Sequence, residues 1–369
     1  MAEDVRSRQW YLDDMQAEDM WKVSTGRGVK VAVIDSGVNS STPALRGQVL
    51  PGKDFTGVAG GATDDYDGHG TTMAELIAGH GKDGSLQGLA PDAKIIPYRV
   101  PFRTMKAKSW SKTDPMGDAV RAAANSEAKI INMSFGARLP SRALTEAVEY
   151  AASKGKLLIA GTGNDGETTN AKSYPAAYPD VAGIASLSES GKVSGYSTSG
   201  DYTTLSAPGS DIPHWCEGSF KGYCDGDGGT SASTAIASAS AALIWSKHPK
   251  WTANQVLRVL IETAGRQAKN DKASKYIGYG AVRPRMNLLE GKGDPGDPDQ
   301  SPLYTKSPKS PKPGAPESTN GDVKEGDKTS AVARQSDQGN GMAWKMAGAG
   351  IAVLAVVAGA FVFLRRRRA

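Results

Sequence analysis

The stretch Ala128–Asn164 reads AKIINMSFGARLPSRALTEAVEYAASKGKLLIAGTGN. It opens with a short apolar run, Ala128–Ser134, and closes with a second, Lys156–Thr162. Runs of this length without polar alternation are what strands buried on both faces require. Between them, Leu144, Val148 and Ala151 recur at helical spacing and share one face, and Gly155 follows as a stop signal. Strand, helix and strand in this order make a parallel crossover unit.

The same alternation extends outward. Val29–Ile34 (VKVAVI) is another apolar strand, and Met116–Ser126 (MGDAVRAAANS) has helical spacing. Thr252–Gly265 (TANQVLRVLIETAG) begins with Thr252 and Gln255 in capping-box spacing and ends on glycine. The pattern predicts an α/β fold, a doubly wound parallel sheet with helices on both faces. In such sheets the functional crevice lies beyond the carboxyl ends of the strands. Asp35 follows the first strand; Ser134, Phe135 and Gly136 follow the second; Gly161, Thr162, Gly163 and Asn164 follow the third.

A hydroxyl completes this set. Gly228–Trp245 reads GGTSASTAIASASAALIW, a helix of small residues opened by glycines and hydroxyls. Taken alone, Ser231 suits a helix cap. A serine there also sits among free backbone N–H groups in a positive field, where an oxyanion is stabilised. Serine needs a base to act as a nucleophile. Of the four histidines, His80, His214 and His248 read as structural or solvated, with a protonated His80 suiting the end of its helix. His69, in DGHGTTMAELIAGHG (67–81), combines a glycine turn, a helix start and an upstream strand-end aspartate. His69 can take the Ser231 proton, Asp35 can orient the imidazole, and Asn164 can donate to the developing oxyanion.

Asp35 in VAVIDSGV, His69 in DGHGTTMA, Asn164 in AGTGNDG and Ser231 in GGTSAS resemble the subtilisin family of serine peptidases. The chain order Asp, His, Ser is that of subtilisin. The resemblance runs from Trp21 to Arg285 and includes GLAPDAKIIPYRV (88–100), SYPAAYPDVAGIAS (173–186) and SAPGSDI (206–212). It implies that Ser134, Phe135 and Gly136 pair with a peptide substrate as an added strand. It implies that Ala160, Gly161 and Thr162 wall the pocket for the side chain before the scissile bond, and that Tyr174–Pro175 is cis. It implies no cofactor. The chain departs from the family's usual pattern at Ser233, where alanine is common, and at Ala235, where proline is common. Asp64, Asp65 and Asp67 lack the spacing of a calcium loop and read as a solvated acidic loop, so no metal is expected.

The 369 residues carry a net charge of +5, four units of which come from Arg365–Arg368. The remainder is near neutral, which gives no footprint for nucleic acid. Met346–Leu364 (MAGAGIAVLAVVAGAFVFL) holds no charge and is long enough to cross a bilayer of roughly 30 Å as a helix. With the arginines cytoplasmic, the large N-terminal part lies outside. Residues 1–30 show no apolar signal segment, so export implies that a signal peptide lies upstream; the alternative is a tail-anchored protein facing the cytoplasm. Cys216 and Cys224 form a disulfide in the first case and remain thiols in the second.

Composition divides the chain into an N-terminal extension (1–20), a peptidase domain (21–289), a Pro/Gly/Ser-rich disordered linker (290–342), a membrane helix (343–364) and a basic tail (365–369). This layout resembles the mycosins, membrane-anchored peptidases associated with type VII secretion. It implies proteolysis of protein substrates at the cell membrane, with secretion-complex components as partners. The alternative is a non-catalytic subunit that steadies such a complex.

Overall fold

The structure, a computed structural model, describes residues 5–102, 114–226, 228–266 and 273–304. The apolar run 346–364, the arginine tail and the linker from 305 onward lie outside these. No helix of the described residues is long and apolar enough to cross a membrane.

Seven parallel strands form the central sheet: β1 (Lys30–Asp35), β2 (Lys53–Asp54), β3 (Lys94–Arg99), β4 (Ile130–Met133), β5 (Leu157–Gly161), β6 (Val181–Leu187) and β7 (Thr203–Pro208). Their spatial order is β2-β3-β1-β4-β5-β6-β7. The order reverses at β1, which has β3 on one side and β4 on the other. A crevice opens at such a switch point.

Ten-residue and longer helices pack on both faces. α3 (His69–Ala78), α6 (Gly229–Lys247) and α7 (Ala253–Glu262) cover one; α4 (Pro115–Ala124) and α5 (Arg142–Ser153) cover the other. The inner strands serve both layers by alternation, as β1 shows. Val31 and Val33 join the core with α3 and α6, whereas Ala32 and Ile34 join the core with α4 and α5. The expected face of α5 is buried through Leu144, Val148 and Ala151, and Ser141 caps its start. The capping box of α7 is present in both directions.

Before β1 lie two short helices, α1 (Trp10–Asp14) and α2 (Ala17–Trp21). Their Tyr11, Leu12 and Met20 are fully buried in the α3–α6 core. Gln9 exchanges two hydrogen bonds with the backbone of Gln87, both 2.8 Å, and the Trp21 indole donates to Leu89 O at 2.8 Å. The segment read as an extension is thus part of the domain's core.

A small antiparallel ribbon, β8 (His214–Trp215) and β9 (Tyr223–Cys224), is closed by a Cys216–Cys224 disulfide. After α8 (Pro284–Leu288), the chain runs back along α7 rather than leaving the domain at Glu290. Arg258 donates to the carbonyls of Pro295, Asp297 and Gln300, and Tyr304 bonds Asp180. The stretch 291–304, whose composition reads as disordered tether, is held to the domain by its backbone carbonyls, which accept from side-chain donors of α7, and by Tyr304.

Truncating Leu12 to alanine empties a site in the shared core and costs about 2–5 kcal/mol. Denaturant unfolding, followed by tryptophan fluorescence, should show one cooperative transition at lower midpoint. A separate early transition would mean that the segment is not integral.

Candidate active site

Asp35 ends β1 and is fully buried. Its Oδ1 accepts from the Ser36 backbone N–H at 2.8 Å and lies 2.7 Å from His69 Nδ1. A carboxylate there places the imidazole proton on Nδ1, which makes Nε2 the acceptor nitrogen of the ring. The His69 ring stacks on Phe102 with centroids 4.8 Å apart.

His69 opens α3 directly after Gly68, whose φ of 90° turns the chain into the helix. Next to it, Gly70 permits close approach to β1: a Cβ there would lie 2.1 Å from Gly37 O and 2.9 Å from Asp35 Cβ. The turn is tied down by Asp65. Its two oxygens accept from Ser36 Oγ, the N–H groups of Asp67, Gly68 and Thr71, and the Thr71 hydroxyl, at 2.6–3.0 Å. Ser36 Oγ in turn accepts from Gly70 N at 2.9 Å. Asp65 is therefore a buried anion at a helix N-terminus, not part of a solvated acidic loop. No group of His, Cys, Asp or Glu among the described residues is arranged to hold a metal ion.

Ser231 is the third residue of α6. Its hydroxyl donates to Ser134 O at 3.3 Å, and Ser134 Oγ donates to Ser231 O at 3.2 Å. One residue earlier, Thr230 offers its N–H and its hydroxyl to Asn164 Oδ1, both at 3.0 Å. That pair assigns the amide orientation and leaves the Asn164 NH₂ as the outward donor. Ala160 and Gly161 end β5, and Thr162 follows, buried. Gly161 must be glycine, since a Cβ there would lie 2.7 Å from Thr230 Oγ1. Phe135 is half-buried, and a Cβ on Gly136 would meet Ser173 Oγ at 2.3 Å. Tyr174–Pro175 is cis.

The structure brings Asp35 to His69, Ser231 to Ser134, and Asn164 to the first turn of α6. It also adds groups to which the sequence reading gave no role, Ser36, Phe102, Thr230 and Ser173, and turns Asp65 from a residue of a solvated loop into a buried anchor. Asp65 carried a signal, a cap-forming residue ahead of a helix start; Ser36 carried only its place just past the end of β1. Phe102 carried none, because ring stacking follows from strand order. His80 departs from its expected role as a cation. Partial burial, then Lys82 and Lys94, hold its pKa below the ordinary value.

The profile of the subtilase (peptidase S8) family matches residues 26–280. The chain is a member of the subtilase family. Thermitase of Thermoactinomyces vulgaris is 35% identical over 208 residues, which cover 56% of this chain and 72% of thermitase. The major intracellular serine protease of Bacillus subtilis (strain 168) is 35% identical over 206 residues, 54% of this chain and 63% of that protein, so the chain spans less than two thirds of this relative. Among solved structures, MycP1 from Mycobacterium smegmatis superposes with a TM-score of 0.68 at 26% identity, covering 81% of this chain and 89% of that one. The MycP3 protease from the type VII (ESX-3) secretion system gives 0.65 at 27% identity, covering 78% and 89%.

One titratable group of this subtilase stands apart from the constellation. Glu75, on α3 with His69, is fully buried, and burial pushes its carboxyl up from 4.5 to about 7, against the opposing hydrogen bond from Tyr223 at 2.9 Å. With the folded-state pKa above the unfolded one, the folded protein binds the extra proton. Stability from this group is complete below pH 4.5 and is lost as pH rises through 7, a loss of roughly 3 kcal/mol. Urea unfolding at pH 5 and pH 8 should show Glu75→Gln gaining on the parent by about that amount at the higher pH. An equal difference at both pH values would refute the assignment.

Proposed function

We propose that this subtilase is a membrane-anchored serine endopeptidase that hydrolyses protein substrates through Ser231, His69 and Asp35 and acts in association with type VII secretion. The observation that carries the catalytic reading is the 2.7 Å contact between buried Asp35 and His69 Nδ1, at the same sheet rim as the Asn164 amide and the Ser231 hydroxyl.

The chemistry follows from the protonation states. Substrate lies along Ser134–Gly136 as an added strand, with its side chain against Ala160–Thr162. The Ser231 hydroxyl, which donates to Ser134 O at rest, turns its proton to His69 Nε2, and Oγ attacks the scissile carbonyl as that proton passes. Asp35 stabilises the imidazolium, and the Asn164 NH₂ donates to the oxyanion, a charge absent from the ground state. His69 then returns the proton to the leaving amine, and water repeats the cycle on the acyl-enzyme.

The association with secretion is supported by the likeness to MycP1 and MycP3, one titled an essential component of the type VII (ESX-1) secretion system. The anchor reading is supported by the uncharged run 346–364 and its arginine flank, which under the positive-inside rule favour an external domain. The disulfide in the β8–β9 ribbon fits that location.

A fluorophosphonate probe should label the unaltered full-length protein, fail with Ser231→Ala and label His69→Ala far more slowly. Equal labelling of all three would end the catalytic reading. Asn164→Ala should cut turnover by about 10²–10³, a magnitude that comes from subtilisin's own oxyanion donor. On intact cells, a membrane-impermeant thiol reagent should react with Cys216 and Cys224 only after reduction. Reaction without reduction, or none in either state, would overturn the external placement.

A further inference from the structure

We propose that Ser238 and Asn132 are positioning residues for the Ser231 hydroxyl, acting on it through Ser134 by a chain of hydrogen bonds buried under the site. The inference rests on the reading of Ser231 as nucleophile and deepens it.

The chain is continuous. Ser238 Oγ donates to Asn132 Oδ1 at 3.0 Å. Asn132 Nδ2 donates to Ser134 Oγ at 3.0 Å. Ser134 Oγ, having accepted, sends its one proton to Ser231 O at 3.2 Å, and Ser134 O receives the Ser231 hydroxyl at 3.3 Å. Ser238 and Asn132 are fully buried and Ser134 is 4% exposed, so bulk water offers no substitute partner.

Two features mark this as more than core filling. First, four hydroxyl residues of α6 have no exposure at all: Ser233, Thr234, Ser238 and Ser240. Three of them bond back to their own helix, at Gly229 O, Thr230 O and Ile236 O. That is the ordinary fate of a mid-helix hydroxyl. Ser238 instead reaches across to β4. Second, Asn132 is a fully buried amide between Ile131 and Met133 in a central strand, where an apolar residue would serve packing without a desolvation cost. Its oxygen faces α6 at Ser238, about two turns beyond Ser231, and its NH₂ reaches Ser134 just past the end of β4. Ser134 is pinned at its side chain by this amide and holds Ser231 at both its hydroxyl and its carbonyl. With Asn132 untied from Ser238, the Ser134 side chain loses its fixed donor, and the Ser231 Oγ position is no longer unique.

Misplacement of a reacting atom by about 1 Å can cost up to 10²-fold. A partial loosening predicts a slower chemical step with unchanged probe binding. The test uses the full-length protein and a fluorophosphonate probe, reading the maximal labelling rate and the half-saturating concentration separately. Each variant is measured below its own unfolding midpoint. Ser238→Ala and Asn132→Leu should each lower the maximal rate roughly tenfold and leave half-saturation unchanged. The double variant should be no slower than Asn132→Leu alone, because both act on one chain of bonds. Ser238→Ala removes a single oxygen and decides the matter if Asn132→Leu does not fold. A parent-like maximal rate in Ser238→Ala, or losses that multiply in the double variant, would overturn the proposal. Ser231→Ala separates the two levels: labelling that persists in it removes the nucleophile itself, whereas its loss beside a parent-like Ser238→Ala removes only the positioning role.

Discussion

Everything at the site depends on how closely the first turn of α6 approaches the ends of β4 and β5. Two residues of that turn touch two strands. Thr230 holds Asn164 and abuts Gly161, while Ser231 and Ser134 exchange hydrogen bonds. Such proximity is possible only because α6 is built of small side chains and is buried nearly throughout. A larger residue at Gly161 would collide with Thr230, and one at Gly228 would collide with Ala232. Close packing is a geometric requirement here before it is a source of stability. The oxygen of a short side chain such as serine can reach a neighbouring strand only if the helix backbone lies almost against it.

Much of this was legible in the amino-acid order. Val29–Ile34, Ala128–Ser134 and Lys156–Thr162 are apolar because both faces of each strand are covered, and that is what a parallel sheet demands. Strand ends, once located, placed Asp35, Ser134 and Asn164 on one rim. What stayed hidden were contacts set by tertiary order rather than by local pattern. Phe102 follows β3 in the chain, yet it stacks on His69 because β3 lies beside β1. Asn132 and Ser238 are 106 residues apart and meet only once α6 lies across β4. Composition misled at 291–304, where proline and glycine usually mark a free chain. A chain without regular structure also exposes backbone carbonyls, and Arg258 supplies a fork of donors that satisfies three of them.

Two buried carboxyl groups at α3, one just before it and one within it, show two solutions to one problem. Asp65 accepts five hydrogen bonds and sits where the helix field favours a negative charge. Glu75, within α3 itself, has the Tyr223 hydroxyl and full burial, and its carboxyl responds by holding its proton to higher pH. Between them, His69 gains an orienting carboxylate on one nitrogen and an aromatic face from Phe102. One helix thus carries an oriented base and a group that titrates near neutrality, and the carboxylate of Asp65 ties down the turn that leads into it.

The return of the chain along α7 also decides where mechanical load enters the domain. Tyr304 bonds Asp180, the residue just before β6 begins, so the last described contact lies at the amino end of the strands. The reacting groups lie at the other end. Tension pulling on the chain beyond Tyr304 would be borne first by that phenol, then by the Arg258 fork, each contact yielding in turn like stitches in a seam. The far rim of the sheet, where Asp35 meets His69, would feel nothing until the seam had opened.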